Sequence, residues 1–257
     1  MKKRTLLSLA LALMLAVAWI SFPMTVSAQN TWYVNPPGGG DGAGNDTTGN
    51  GSSGNPWLTI QHAIDDAGVS NGDTVIVMNG RSTENIYVNK QLTIQSQNGY
   101  LNTEVKALDT HTAAFSIRAD YVTIRELDIY GATSSTGINL YNAQYCTISN
   151  NRCGYDADHK NSYGIDLSSS SCYNSISGNT CNHNAIGIYL HSSNYNTISG
   201  NTCNNNNKGI HFSGSSVNTL YLNNFSDNNW ENVSSDSINT WHSPTPICYF
   251  YASSHKN

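Results

Sequence analysis

Charge is scarce in this chain. Only 11% of its 257 residues are Asp, Glu, Lys or Arg, and the basic ones are the rarer kind, 12 against 17 acidic. Phosphate polymers and anionic bilayers are held chiefly by clustered Lys and Arg, so neither nucleic acid nor an anionic membrane is an expected partner. Six cysteines occur, yet none has Cys-x-x-Cys spacing, which argues against a thiolate metal site. Past residue 28 the only methionine is Met78, too few for the clustered Met or His that copper handling calls for. His183, His191 and His211 fall in three different columns of the repeat described below. The Leu-rich consensus of a leucine-rich repeat is missing. After the N-terminal apolar run, no second stretch approaches the roughly 20 apolar residues of a membrane-spanning helix.

What the chain does contain is one phrase written several times. Tyr173 to Asn182 reads YNSISGNTCN, Tyr195 to Asn204 reads YNTISGNTCN, and Tyr145 to Cys153 reads YCTISNNRC. Ile124, Ile148, Ile176, Ile198 and Leu220 follow at steps of 24, 28, 22 and 22 residues. Other columns keep the same ruler: Ile129, Cys153, Cys181, Cys203 and Phe225, and Leu127, Asn151, Asn179, Asn201 and Asn223. Upstream, Gly137-Ile138, Gly164-Ile165, Gly187-Ile188 and Gly209-Ile210 recur, each with an apolar partner two residues later, Leu140, Leu167, Leu190 and Phe212. Spacing of two is strand alternation, and Asn, Ser and Gly supply the corners between short strands. A unit this small buries no core alone and must stack on its copies. The pattern predicts an all-β, single-stranded parallel β-helix of six to eight coils, each pairing with the next at about 4.8 Å.

The columns G-I-x-L-x-x-S-x-x-N-x-I-S-x-N resemble the right-handed parallel β-helix repeats of the NosD-like family, grouped with carbohydrate-binding and sugar-hydrolysing β-helices of the pectin lyase-like fold. The lead-in Trp32-Tyr33-Val34, Asn55-Pro56-Trp57, Thr59-Ile60-Gln61, Gly72-Asp73-Thr74 and Gly80 is similar to the capped start of such proteins. The resemblance implies a right-handed solenoid. It leaves three functions open: non-catalytic contact with glycans or partner proteins, a polysaccharide lyase or glycoside hydrolase, and a periplasmic accessory factor for copper-site assembly.

Lys2, Lys3 and Arg4, an apolar run from Leu6 to Phe22, and Val26-Ser27-Ala28 form the pattern of a secretory signal peptide over residues 1–28; an uncleaved anchor is the alternative. Cleavage removes three basic residues and no acid, taking the net charge from −5 to −8. The mature chain is expected to be secreted, periplasmic or at the cell surface, with a polysaccharide or a cell-surface protein as partner. Residues 29–58 read as a Gly/Asn-rich lead-in, in which Asp41 and Asp46 are loose candidates for calcium. Residues 59–72 read as a capping helix, with Thr59 as N-cap, Ile60, Ala63, Ile64 and Ala67 on its apolar face and Gly68 as its stop. Residues 73–230 form the β-helix, with strands expected at 74–78, 85–88, 91–95, 113–117 and 121–129 before the clean repeats. Residues 231–257 are a tail. Cys153, Cys181 and Cys203 share an inward column whose parallel Cβ directions disfavour a bridge. Cys146 and Cys172, on adjacent coils, leave a bridge open, and Cys248 has no partner.

A site is expected where a coil departs from the pattern. The coil from Ile148 to Ile176 is six residues longer than its successors, an excess placed in Gly154 to Tyr163, GYDADHKNSY. Arg152 falls above Asp128, so Asp128, Arg152, Asp156, Asp158, His159 and Lys160 are predicted to gather on one outward face. As the resemblance to lyases implies, Asp128, Asp156 and Asp158 would hold calcium, with Arg152 or Lys160, or else His159, abstracting a proton. A hydrolase would instead draw on Asp156, Asp158 and Asp166 as paired carboxylates. The plain alternative is an exposed Asp128–Arg152 pair beside a solvated corner.

Overall fold

The computed structural model describes residues 29–39 and 42–242. The expected signal peptide, Asp41 and Cys248 lie outside the described residues. In chain order the elements begin with β1 (Thr31–Val34), α1 (Ile60–Asp65), β2 (Thr74–Val77), β3 (Gly80–Thr83) and β4 (Ile86–Val88). The next coils supply β5 (Thr93–Ser96), β6 (Thr103–Lys106), β7 (Phe115–Ile117), β8 (Thr123–Arg125), β9 (Asp128–Tyr130) and β10 (Thr136–Tyr141). The regular repeats then give β11 (Thr147–Ser149), β12 (Tyr163–Ser168), β13 (Ser175–Ser177), β14 (Ile186–His191), β15 (Thr197–Ser199), β16 (Lys208–Ser213), β17 (Thr219–Tyr221), β18 (Glu231–Ser235) and β19 (Thr240–His242).

These strands wind into a parallel β-solenoid of about seven turns with three faces. One face is a nine-stranded sheet ordered β1-β2-β5-β8-β11-β13-β15-β17-β19, the second a seven-stranded sheet from β18 to β4, and the third the short sheet β3-β6-β9. The third face continues upward as single bridges linking Asp128, Arg152, Thr180, Thr202 and Asn224. The isoleucine column falls in register as the spacing predicts, Ile124 on Ile148, Ile176, Ile198 and Leu220. All five are buried, and each such side chain contributes about 1.5–3 kcal/mol by leaving water.

Polar corners are sewn together by asparagine. Asn151, Asn179, Asn201 and Asn223 form one ladder, in which each backbone N–H donates to the next coil's side-chain Oδ1. Each amide Nδ2 reaches a backbone carbonyl of the coil directly below, as Asn179 does to Ile148 O at 2.8 Å. Asn174, Asn196, Asn218 and Asn239 build a second ladder, and Asn161, Asn184, Asn206 and Asn228 a third. Each rung satisfies backbone groups that a corner would leave buried and unpaired. The glycine column answers to close packing: a Cβ on Gly187 would lie 2.5 Å from the Gly209 carbonyl oxygen and 2.8 Å from Cys203 Cβ.

Several boundaries differ from the sequence reading. Tyr121 to Ile129 is two strands, because Glu126 adopts φ 62° and turns the chain from the first face to the third. β1 lies inside the expected lead-in and pairs with β2. β3 and β6 escaped notice because their inward positions are mostly polar, Ser82 in β3 and Thr103 beside Val105 in β6, so apolar alternation does not mark them. Helix α1 starts under Thr59 as expected, whose Oγ1 accepts from His62 N–H at 3.2 Å, but ends at Asp65, leaving Ala67 exposed. The cysteine column is buried, and Cys146 and Cys172 are unbridged. Cys146 Sγ instead faces the Ala119 and Gln144 carbonyls at 3.5 and 3.4 Å.

Candidate functional site

The six extra residues of the long coil do not all sit where expected. Cys153 to Asn161 takes five residues more than Cys181 to Asn184, and the sixth is at the corner after β12, where Ser169 and Ser170 both adopt positive φ. The five-residue loop folds back over the third face, onto a column of charge in register in which two carboxylates lie between two guanidiniums: Arg81, Glu104, Asp128 and Arg152.

Asp128 and Arg152 meet there, but buried and closed on each other. Arg152 donates to both carboxylate oxygens, Nε to Oδ1 at 3.0 Å and Nη2 to Oδ2 at 2.6 Å. The Asp128 side chain is 0% exposed and that of Arg152 is 19% exposed, so the exposed pair of the plain reading is corrected. Burial drives the Asp128 carboxyl above its ordinary value, with Arg152 pulling it back only in part. Burial also works against the Arg152 cation, yet Asp128 outweighs it and the guanidinium holds its proton more firmly than usual. The guanidinium carbon lies 3.7 Å from the Tyr155 ring centroid and 5.2 Å from that of Tyr100.

Around this pair the remaining groups are also engaged. Arg81 Nε donates to Glu104 at 2.5 Å, and the Tyr130 hydroxyl donates to the same carboxylate at 2.9 Å. Burial opposes ionisation of Glu104, but Arg81 and Tyr130 more than offset it and hold the carboxyl below its usual range. His159 stacks on Tyr155 at 4.5 Å and meets Tyr130 edge-on at 4.7 Å. Its Nδ1 lies 2.9 Å from Asp156 Oδ1, which also accepts the Asp158 and His159 backbone N–H groups. That contact with His159 leads the forces holding the Asp156 carboxyl below its usual value. Asp158 and Lys160 stand exposed at the loop tip. Asp128, Arg152, Asp156 and His159 are therefore brought together, while Asp158 and Lys160 are not. Asp166 lies on β12 in the seven-stranded sheet, a different face, and does not join Asp156 and Asp158. In the lead-in, Asp46 accepts from Leu58 N–H, Thr59 N–H and the Thr59 hydroxyl, which anchors the loop to the start of α1.

Two features outside the predicted cluster carry chemistry. On the outward side of the seven-stranded sheet, Asn139, Asp166, Tyr189 and His211 align in register. Asn139 donates to Asp166 Oδ2 at 2.8 Å, whereas Asp166 Oδ1 and His211 Nδ1 are buried without a partner among the described residues. Burial pushes the Asp166 carboxyl up to about 7, against the pull of Asn139, and burial, helped by Lys208, lowers His211. The Tyr189 ring stacks on both His211, at 5.1 Å, and His191, at 6.1 Å.

The second feature is a ridge at the corner between the seven- and nine-stranded sheets. Tyr121, Tyr145, Tyr173 and Tyr195 stack ring on ring, 55%, 47%, 48% and 51% exposed. All four adopt left-handed backbone, φ 56° to 60°, at about 1–2 kcal/mol each for a residue with a Cβ. Three stacked pairs return about 0.5–1.5 kcal/mol apiece. Stacking thus does not outweigh the backbone cost, and a glycine or asparagine corner would be at least as stable. The tyrosine opens the repeated phrase, so the signal was visible, but an exposed ring at a corner has no apolar periodicity to flag it.

The fold and these faces define a parallel β-solenoid of the pectin lyase-like type. The family described as periplasmic copper-binding protein (NosD) matches residues 43–256, and the chain belongs to it. A cell surface glycoprotein of Methanothermus fervidus is 37% identical over 95 residues, 37% of this chain and 15% of that protein's length. An alginate lyase from Paenibacillus sp. strain FPU-7 shares the fold with a TM-score of 0.52 and 15% identity, over 83% of this chain and 76% of that one. Pectate lyase Pel9A does so with a TM-score of 0.51 and 13% identity, over 86% and 80%.

The family description raises copper, which needs converging imidazole, thioether or thiolate donors. Cys153, Cys181 and Cys203 are stacked one above the next in the dry core with burial raising the Cys153 and Cys203 thiols. The Tyr189 ring packs against both His191 and His211. Among the described residues no three His, Cys, Asp or Glu side chains form a group that could hold a metal ion. The described residues do not fit a copper centre. Nor is any described helix long and apolar enough to cross a membrane.

Proposed function

We propose that this chain is a cell-surface or secreted right-handed β-helix that contacts glycans without cleaving them, with α1 covering the first end of its core. One observation carries the reading: the groups a lyase would need on the third face already satisfy one another, Arg152 being held by both oxygens of Asp128. A guanidinium so held is a poor proton acceptor, and the Asp128 carboxylate, 0% exposed, presents no oxygen to a calcium ion arriving from solvent. The similarity to a cell surface glycoprotein supports the location. Broad outward faces of Asn, Ser, Thr and Tyr support the ligand.

The test is to incubate the protein with acidic and neutral polysaccharides, with and without calcium, and follow polymer length by size-exclusion chromatography and absorbance from unsaturated uronate ends. Bound but uncut polymer is the expected result. Shortened polymer would replace this reading with the lyase one.

A further inference from the structure

We infer that the tyrosine ridge is where a neutral, hydroxyl-rich polysaccharide lies, running along the solenoid axis with successive sugars opposite successive rings. The inference rests on the glycan-contacting reading and gives it a place and a ligand class. Tyr121, Tyr145, Tyr173 and Tyr195 succeed one another at 5.0, 5.3 and 5.1 Å with planes 6° to 11° apart. No described residue hydrogen-bonds to their hydroxyls. The result is a straight row of unclaimed phenols at the coil spacing, comparable to the length of one pyranose in an extended chain. A tyrosine edge offers an apolar body to sugar C–H groups and a hydroxyl to their oxygens.

Charge selects the class of polymer. The segments that build the ridge and its flanks over its upper three rungs, 141–149, 168–177 and 191–199, contain no Asp, Glu, Lys or Arg. Charges from outside these segments reach the lower end of the ridge, Arg118 over the Tyr141 ring at 3.9 Å and Asp120 accepting from Gln144 N–H at 2.8 Å, whereas the segments carrying Tyr173 and Tyr195 offer an acidic polymer no cation and a basic one no carboxylate of their own. Beside the ridge, Thr147, Ser175 and Thr197 stand in register on the nine-stranded sheet and add a second row of hydroxyls parallel to the first. The left-handed backbone belongs to the corner itself, since Val217, next in the column, adopts φ 59° without a ring; what sets the four lower positions apart is the ring each presents to solvent.

The experiment compares the wild-type chain with a triple variant, Tyr145→Asn, Tyr173→Asn and Tyr195→Asn, by affinity electrophoresis in hydroxyethylcellulose, galactomannan, alginate and polygalacturonate. Asparagine tolerates left-handed backbone, so circular dichroism and melting should confirm an intact solenoid. We expect wild-type retardation by a neutral polymer that persists at high salt, and about a tenfold or greater loss of affinity in the variant. Oligosaccharides should compete better as they lengthen towards four sugars, the number of rings in the row. Equal binding by the variant would overturn the ridge while leaving glycan contact standing. Preference for the acidic polymers, lost in salt, would overturn the ligand class alone. No binding to any polymer would overturn both the ridge and the reading beneath it.

Discussion

Arg152 lies against Tyr155 with its guanidinium carbon 3.7 Å from the ring centroid while gripping the buried Asp128 with two hydrogen bonds. Removing one partner of a buried ion pair strands the other, at about 3–5 kcal/mol, whereas replacing both with apolar groups is often nearly neutral. Arg152→Met should therefore lower unfolding free energy by about 3 kcal/mol, and adding Asp128→Leu should recover most of it. Urea denaturation of the single and double variants measures this. A single variant as stable as wild type would show that the pair does not hold the loop.

Asp166 gives a pH signature. Its carboxyl titrates near 7 when folded and near 3.9 when unfolded, so the folded state binds its proton more tightly. The stability this contributes is complete below the unfolded value and is lost as pH climbs towards 7. Asp73 and Glu104, held below their usual values despite burial, act in the opposite sense at lower pH. The informative quantity is the difference in melting temperature between wild type and Asp166→Asn, which should grow from pH 4 to pH 7 in favour of the variant. A flat difference would refute the buried, unpaired state of Oδ1.

Asn179 tests the ladders. Its side chain accepts from Asn151 N–H at 3.0 Å and donates to Ile148 O at 2.8 Å, both buried. Asn179→Ala leaves these groups unpaired at about 1–3 kcal/mol each. Asn223→Ala, on the last and less buried rung of that ladder, should cost less. Thermal melts of the two variants should rank in that order.

Thiol chemistry reports the interior. Burial raises the Cys146, Cys153 and Cys203 thiols, and reactivity needs an accessible thiolate. Cys146, Cys153, Cys181 and Cys203 should resist an alkylating reagent in native protein and react in denaturant, with half-buried Cys172 reacting first among the five. Mass mapping of labelled peptides decides it.

The solenoid was legible because its period is written into Ile124, Ile148, Ile176, Ile198 and Leu220, where inward position admits only apolar side chains. The inward Cys153, Cys181 and Cys203 were legible for the same reason. Less could be read of the candidate site. Register placed Arg152 over Asp128, but burial of the pair depends on Tyr155 and His159 folding back over it, a tertiary event without sequence period. Asp166, expected as a hydrolase carboxylate beside Asp156 and Asp158, instead gains its character from Asn139 and Tyr189 on neighbouring coils. β3 and β6 were missed because polar residues fill most of their positions, and β1 because its four residues, TWYV, run directly into the Gly/Asn-rich lead-in.

The asparagine ladders make each turn an interchangeable part. Every rung presents to the turn above the same donors and acceptors that it meets below, so excising residues 177–198, one 22-residue period, would rejoin Ile176 to Ser199 with matching chemistry across the seam. The molecule can accordingly be shortened or lengthened in whole increments. Its outer rows then act as a ruler whose length is set by copy number rather than by any single substitution.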